Sequence, residues 1–247
     1  MFSSIHMLSI FIVGAISAVY FWNAGPLWWL SALAMYFVLS CLGVTITFHR
    51  YLAHGSFKFR WRFMERAFII LGHLAGTGSP LAWVAVHKAH HAHSDTDGDP
   101  HGPYRGWFNW VPHYDGHVNL RLAKRLLKDP LHRRLHKYGT SVILVQYAAL
   151  FFLGGVKAVV FLGVLPQAAT GAMSMVSNWL THWTGSRRYE TKDDSANVWW
   201  LAIPTWGESW HNNHHAKPWR ASFGERWWEL DVSGMIIHLI AKKGTIK

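Results

Sequence analysis

Cysteine is all but missing: Cys41 is the single one among 247 residues, which excludes a disulfide framework and a thiolate-rich zinc or iron-sulfur module. Acidic residues are few, with 13 Asp plus Glu against 24 Lys plus Arg. Charge of either sign is absent from positions 1–49, a stretch too long to be the core helix of a soluble domain. The phosphate-loop, Gly-x-Gly-x-x-Gly and Gly-x-Ser-x-Gly patterns are also absent. Nucleotide-driven, dinucleotide-binding and hydrolytic readings therefore have no residues to carry them. Hydrophobic residues make up 51% of the chain, so a disordered polar tail is excluded as well.

What remains is apolar and arranged in blocks. A membrane-crossing helix needs about 20 mainly apolar residues, and positions 6–22 and 27–48 supply two such runs, broken at Asn23-Ala24-Gly25-Pro26. No basic stretch precedes the first run and the second follows at once, so the segment reads as a retained hairpin of spans and not as a cleaved signal. A second uncharged block predicts spans at 139–154 and 157–183, turning at Gly154-Gly155 beside Lys157, with Pro166 kinking the last helix without ending it. Positions 67–86 are apolar too, but Gly72, Gly76, Gly78 and Pro80 make them an interfacial or half-buried helix. The predicted fold is an all-α integral membrane protein, a single domain over 1–247 with four transmembrane helices and a cytosolic helical cap formed by 49–138 and 184–247.

Fourteen of the 24 basic residues lie between Arg50 and Lys137, nine follow Trp183, and Lys157 alone lies in a turn. The positive-inside rule then puts the cap and both termini in the cytoplasm. The basic residues sit beside the membrane and among tryptophans, so they predict anionic lipid headgroups or an anionic substrate group, and no nucleic acid. Trp107, Trp110, Trp199, Trp200, Trp227 and Trp228 read as an interfacial belt.

Half of the 18 histidines fall into four groups at predicted span ends or in the cap. His49 and His54 lie where the second span emerges, and His182, four residues after Asn178, marks the end of the fourth. His87, His90 and His91 form His-Lys-Ala-His-His, and His211, His214 and His215 form His-Asn-Asn-His-His. In a helix, offsets of zero, three and four share a face, so each triplet is expected to aim three imidazoles at one point. Nine imidazoles exceed the ligand number of any one ion, and two metals with four or five ligands each fit best. A structural zinc would be closed by four ligands, usually with Cys, and Cys41 lies inside the second span. Nitrogen-rich sites suit iron, zinc, copper or nickel, so spacing leaves the metal open.

Asp95-x-Asp97-x-Asp99 begins like a calcium loop, but Pro100 stands where Gly is required and Gly106 where Glu is required. Asp95 and Asp99 are instead placed to accept from metal-bound imidazoles. Glu208, just ahead of the last triplet, and Trp83, one turn before His87, are further candidates for contacts behind the ligands or along a substrate. His93, His101, His113, His117, His132 and His136 lack paired spacing and read as loop or surface residues. His6, His73 and His238 read as interfacial or buried polar groups.

At these residues the sequence resembles the membrane-bound fatty acyl desaturases of the acyl-CoA Δ9 type, bacterial branch. The carriers are Phe48-His49-Arg50-Tyr51-Leu52-Ala53-His54, then Trp83-Val84-Ala85-Val86-His87-Lys88-Ala89-His90-His91 with Ser94-Asp95 and Asp99-Pro100-His101. They continue with Asn178 to His182 and Gly207-Glu208-Ser209-Trp210-His211-Asn212-Asn213-His214-His215-Ala216, so that the match runs from Thr45 to Asp231. Together these motifs are specific, whereas any one alone is weak. The resemblance implies four spans in the bacterial inner membrane, a cytosolic cap and two non-haem irons. The ligands it implies are His49, His54, His87, His90, His91, His182, His211, His214 and His215, with Asn178 holding one iron through a water.

The reaction implied consumes O2 and two electrons from a separate ferredoxin, rubredoxin-type or cytochrome partner. It removes two hydrogens from adjacent methylenes of a saturated acyl chain held as a thioester, leaving a cis double bond at Δ9. A CoA, carrier-protein or glycerolipid-linked chain would each present the same methylenes. An unactivated C–H bond offers no acidic proton and no carbonyl to polarise, so acid-base and nucleophilic groups cannot start this chemistry and a redox metal must. A buried apolar channel would position one methylene pair and exclude water. A hydroxylase of the same superfamily is the alternative reading. A non-catalytic metal transporter or sensor is a third, disfavoured because transport predicts ionisable residues within the spans.

Overall fold

A computed structural model describes residues 4–100 and 119–247, and among them every extended element is helical. Helix α1 (Ser4–Tyr20) is followed by α2 (Pro26–Tyr36), which Gly25 at φ +98 and Pro26 in the first turn set up. Helix α2 runs without a break into a π-helix over Phe37–Ala53. Helices α3 (Arg62–Leu74), α4 (Pro80–His93), α5 (Pro130–Lys137), α6 (Gly139–Val159), α7 (Leu165–Thr181), α8 (His211–Ala216) and α9 (Val232–Ile240) follow.

Among the described residues two helical runs are long and apolar enough to cross a membrane, Pro26–Ala53 with 28 residues and Gly139–Thr181 with 43. This differs from the four separate spans predicted. The apolar part of α1, Leu8–Tyr20, falls short of a crossing length. The intended third and fourth spans form one helical run, yet Gly154 and Gly155 leave helical geometry inside it, Gly155 with φ +64. Positive φ is available to glycine without a Cβ clash, so the break falls at the turn predicted from sequence. Beyond it the helix passes through a π-turn, Val160–Val164, and Pro166 sits in the first turn of α7, where its missing N–H is tolerated.

The apolar stretch 67–86 is not one helix but two. Gly76 (φ +75) and Gly78 (φ +109) reverse the chain between α3 and α4, and the Ser79 hydroxyl caps α4 by accepting from Ala82 N at 3.2 Å. Helix α3 packs along the π-helix where two glycines meet; a Cβ on Gly43 would lie 2.6 Å from Gly72 N.

His132 and His136, expected at the surface or in loops, belong to the amphipathic α5. His132 is buried, and His136 Nδ1 pairs with Ser79 Oγ at 2.7 Å, because the offsets 132, 135 and 136 share the inward face while Arg133 and Arg134 point to solvent. His73 is also buried, its ring nitrogens facing the carbonyls of Gly78 and Gly139. His93 and His238 are exposed, as are Trp199, Trp200, Trp227 and Trp228. His101, His113, His117, Trp107 and Trp110, and the His6 side chain, lie outside the described residues.

The C-terminal segment closes over the start of the cap. Ile237 of α9 packs with Cys41, Ile46, Phe57, Phe59 and Ala221 in one buried apolar cluster, and Lys247 N donates to Ser56 O at 3.0 Å. The end of the π-helix, α4, the end of α7 and α8 thereby come to one place.

Candidate metal centre

At that place nine imidazoles converge. His49, His54, His87, His91 and His214 form one group, and His90, His182, His211 and His215 another, with the ligand atoms of each group within 4.8 Å of one another. Ring nitrogens face ring nitrogens: His54 Nε2 lies 2.7 Å from His87 Nε2, His91 Nε2 lies 3.0 Å from His214 Nε2, and His211 Nε2 lies 3.1 Å from His182 Nε2. The two groups share a wall, since His90 and His91, and His214 and His215, are chain neighbours on opposite sides of it.

The expectation that each triplet aims at one point is therefore corrected. An α-helix turns about 100° per residue, so residues at i and i+4 are separated by about 40° while i+3 and i+4 diverge by the full step. His87 and His91 go to the five-imidazole group and His90 to the other; His211 and His215 go to the four-imidazole group and His214 to the first. Each triplet is a two-plus-one fork that feeds both positions. The His49-x-x-x-x-His54 spacing belongs to a different helix type. In the π-helix that carries it, bonds run i to i+5, and His54 N donates to His49 O at 3.2 Å. The wider turn brings two residues five apart onto one side.

Carboxylates back the rings. His182 Nδ1 donates to Asp95 Oδ2 at 2.8 Å. His90 Nδ1 donates to both oxygens of Asp99 at 3.0 Å. His49 Nδ1 donates to Glu208 Oε2. Sequence reasoning missed one such partner, Asp193, which accepts from His215 Nδ1 at 2.7 Å. It also missed Arg50, which is fully buried and donates to Glu208 Oε1 at 2.9 Å, Asp231 Oδ2 at 2.8 Å and Ala221 O at 2.8 Å. The two asparagines inside the last triplet are anchors. Asn197 Oδ1 accepts from the backbone N–H of both Asn212 and Asn213, and Asn212 Oδ1 accepts from Arg188 N and Tyr189 N. Trp83 stacks on His87 with ring centroids 5.0 Å apart and planes at 18°. Asn178 is half-buried one turn before His182 on α7.

The donor chemistry fits metal ions. Burial, reinforced by neighbouring imidazoles, holds His54, His87, His211, His214 and His215 well below the ordinary value of 6.5, so these rings are neutral and their lone pairs are free to ligate. The ring nitrogens crowd together at distances that shared ions would bridge, and the buried His215 Nε2 has no hydrogen-bond partner. Burial also pushes the Glu208 carboxyl up to about 7, with Arg50 opposing it.

The five lowered imidazoles outnumber the one raised carboxyl, Glu208, whose shift acts in the opposite direction, and they set the sign of the acid response. Below 6.5 an unfolded chain binds protons that the folded imidazoles refuse, so stability is full above that value and falls as pH drops. Protons also compete for the ligating lone pairs. Lowering pH from about 7.5 to about 5 is expected to release bound metal and to lower the thermal midpoint of the metal-free protein in detergent. A midpoint that rises over the same interval would contradict the assignment of these rings as neutral.

Comparison with known proteins gives the constellation its context. The family model for fatty acid desaturase matches residues 26–231. An sn-1 stearoyl-lipid 9-desaturase of Anabaena variabilis is 37% identical over 216 residues, covering 85% of this chain and 79% of the relative. The Delta-9 acyl-lipid desaturase 1 of Arabidopsis thaliana is 36% identical over 210 residues, covering 81% and 68%. An acyl-CoA C20 Delta5-desaturase of Anemone leveillei is 33% identical over 251 residues, covering 97% and 70%. The matched span contains all nine converging histidines, Asn178, the four carboxylates behind the rings and Arg50, and on that footing the chain belongs to the fatty acid desaturase family.

Proposed function

We propose that this fatty acyl desaturase, an oxidoreductase, introduces a cis double bond at Δ9 of a saturated acyl chain, at two irons held by the nine imidazoles. His49, His54, His87, His91 and His214 would hold one. His90, His182, His211 and His215 would hold the other, with Asn178 adding a water-mediated contact. The observation that carries this reading is the convergence of nine imidazoles into two adjoining groups. When bound, iron supplies what side chains lack, the redox capacity to use O2 and two electrons against an unactivated C–H bond.

The chain's own residues hold and shield. Carboxylates at Asp95, Asp99, Asp193 and Glu208 fix the ring orientations. The rings of Trp83 and Phe223 pack on His49, with centroids 5.8 Å and 5.4 Å away; Phe223 is buried and helps keep water from the centre, and the partly exposed Trp83 would offer apolar surface to an alkyl chain. The relatives' names divide between lipid-linked and CoA-linked chains. The electron donor is a separate ferredoxin, rubredoxin-type or cytochrome protein.

The same reading puts the apolar helical runs in a bacterial inner membrane with the cap and both termini in the cytoplasm. Its support is the apolar outer surface of the helices: Val19, Leu27, Phe152 and Leu153 are each about 80% exposed, which an aqueous surface does not favour. The basic residues clustered in the cap give the orientation.

Expression in a host lacking the activity, followed by mass spectrometry of the fatty acids and mapping of the unsaturation, tests the reading. The expected product has lost two hydrogens between C9 and C10, and pulse-labelling shows whether it first appears in CoA, carrier-protein or glycerolipid pools. A product that has gained one oxygen would make the enzyme a hydroxylase instead.

A further inference from the structure

We infer that Asp193 is a positioning residue for the four-imidazole metal position, acting through His215 and on that position alone. The inference rests on the two-metal reading given above and assigns a part of the chain that the histidine motifs do not contain.

Asp193 lies on a strap, 187–195, that has no helix or strand of its own. The strap is nonetheless tied down at several points. Arg188 pairs with Glu229 and donates to Glu225 Oε2 at 3.4 Å. The N–H groups of residues 188 and 189 donate to Asn212 Oδ1 at 2.7 and 2.8 Å. Asp194 N donates to Asp95 Oδ2 at 2.7 Å, the same oxygen that His182 uses. The strap is thus fastened both to α8, which carries the last triplet, and to the carboxylate behind His182.

Within it the Asp193 carboxylate is divided between two tasks. Oδ1 accepts from Thr191 Oγ1 at 2.8 Å and Ser195 N at 3.1 Å, which fixes the side chain. Oδ2 accepts from His215 Nδ1 at 2.7 Å, which leaves Nε2 of the same ring, buried and without a hydrogen-bond partner, turned to the other imidazoles of its group. A carboxylate on one ring nitrogen fixes the tautomer and raises the basicity of the other. Asp95 and Asp99 make the corresponding bonds to His182 and His90, so three of the four rings in this group are each held by an aspartate. Glu208, behind His49 in the other group, shares its charge with Arg50. The carboxylates are therefore assigned one position each, and the loss of Asp193 is expected to be felt at one metal only.

The test is release of iron from the full-length, iron-loaded protein in detergent to a chromogenic ferrous chelator, comparing wild type with Asp193→Asn, Asp193→Glu and Arg187→Ala. Arg187 is exposed and donates to Thr191 O at 3.3 Å and to Thr191 Oγ1 at 3.2 Å, so its removal loosens the strap at Thr191 while leaving the Asp193–His215 bond itself in place. In Asp193→Asn one equivalent per chain is expected to leave about 10- to 100-fold faster, with the second unchanged. Asp193→Glu should restore part of the retention, and Arg187→Ala should match wild type. Equal acceleration of both equivalents, no acceleration, or the same acceleration in Arg187→Ala would overturn the positioning role while leaving the two-metal reading intact. Wild type that holds less than one metal per chain would overturn both.

Discussion

His90→Ala and His214→Ala are each expected to bring desaturation down to the background of the empty host while the protein stays in the membrane fraction. The two residues are both fully buried and belong to different groups. Each change removes one of four or one of five nitrogen donors and leaves a hole that alanine cannot fill. Loss of a carboxylate behind a ligand already costs about 10- to 100-fold in metal affinity, so loss of the ligand itself should cost more. The chemistry needs both positions, so neither variant is expected to retain half of the activity. The check is fatty acid profiling with immunodetection of the inserted protein; wild-type levels of unsaturation in both variants would contradict the ligand assignment. Membrane insertion should survive, because the apolar runs Pro26–Ala53 and Gly139–Thr181 are untouched.

Arg50→Ala is expected to destabilise the fold by about 3 to 5 kcal/mol, more than any substitution on the exposed basic surface of the cap. The guanidinium is fully buried between Glu208 and Asp231 and lies 3.8 Å over the Phe223 ring. Removing it leaves two carboxylates buried without their cation, which costs far more than the intact pair contributes. Lysine keeps the charge but not the fork of donors that serves Glu208, Asp231 and Ala221 O together, so Arg50→Lys should recover only part of the loss. The triple change Arg50→Met, Glu208→Gln, Asp231→Asn should be less harmful than Arg50→Ala alone, since no bare charge remains. Thermal or denaturant midpoints in detergent measure the order. Arg50→Ala as stable as wild type would mean that the triad does not hold the first histidine motif against the last.

Much of the cluster was legible in the sequence because its imidazoles are spaced by helix geometry. The nine histidines stand out by their offsets, and Asp95 and Asp99 by proximity to the middle triplet. What was not legible was which ring goes where. Sharing a face is a statement accurate to a third of a turn, and the distinction between His90 and His91 is that same angle. The pairing of His49 with His54 depends on a π-helix that composition does not announce. Asp193 and Asp231 sit in segments without periodicity, and only long-range contacts bring them to His215 and Arg50.

The fold divides the same way. The apolar blocks and the glycine break at Gly154-Gly155 could be read from hydropathy. The splitting of 67–86 into α3 and α4 follows the local Gly76, Gly78 and Ser79-Pro80 signals, which hydropathy passes over, whereas the burial of His132 depends on packing against the rest of the fold.

The most direct test is the metal content of the protein purified from membranes, measured per chain by elemental analysis together with the nitrogen shell seen at the iron absorption edge. About two irons per chain are expected, in a shell dominated by imidazole nitrogen. Near-zero iron with a single tightly held zinc would contradict the reading of these nine rings as a redox centre.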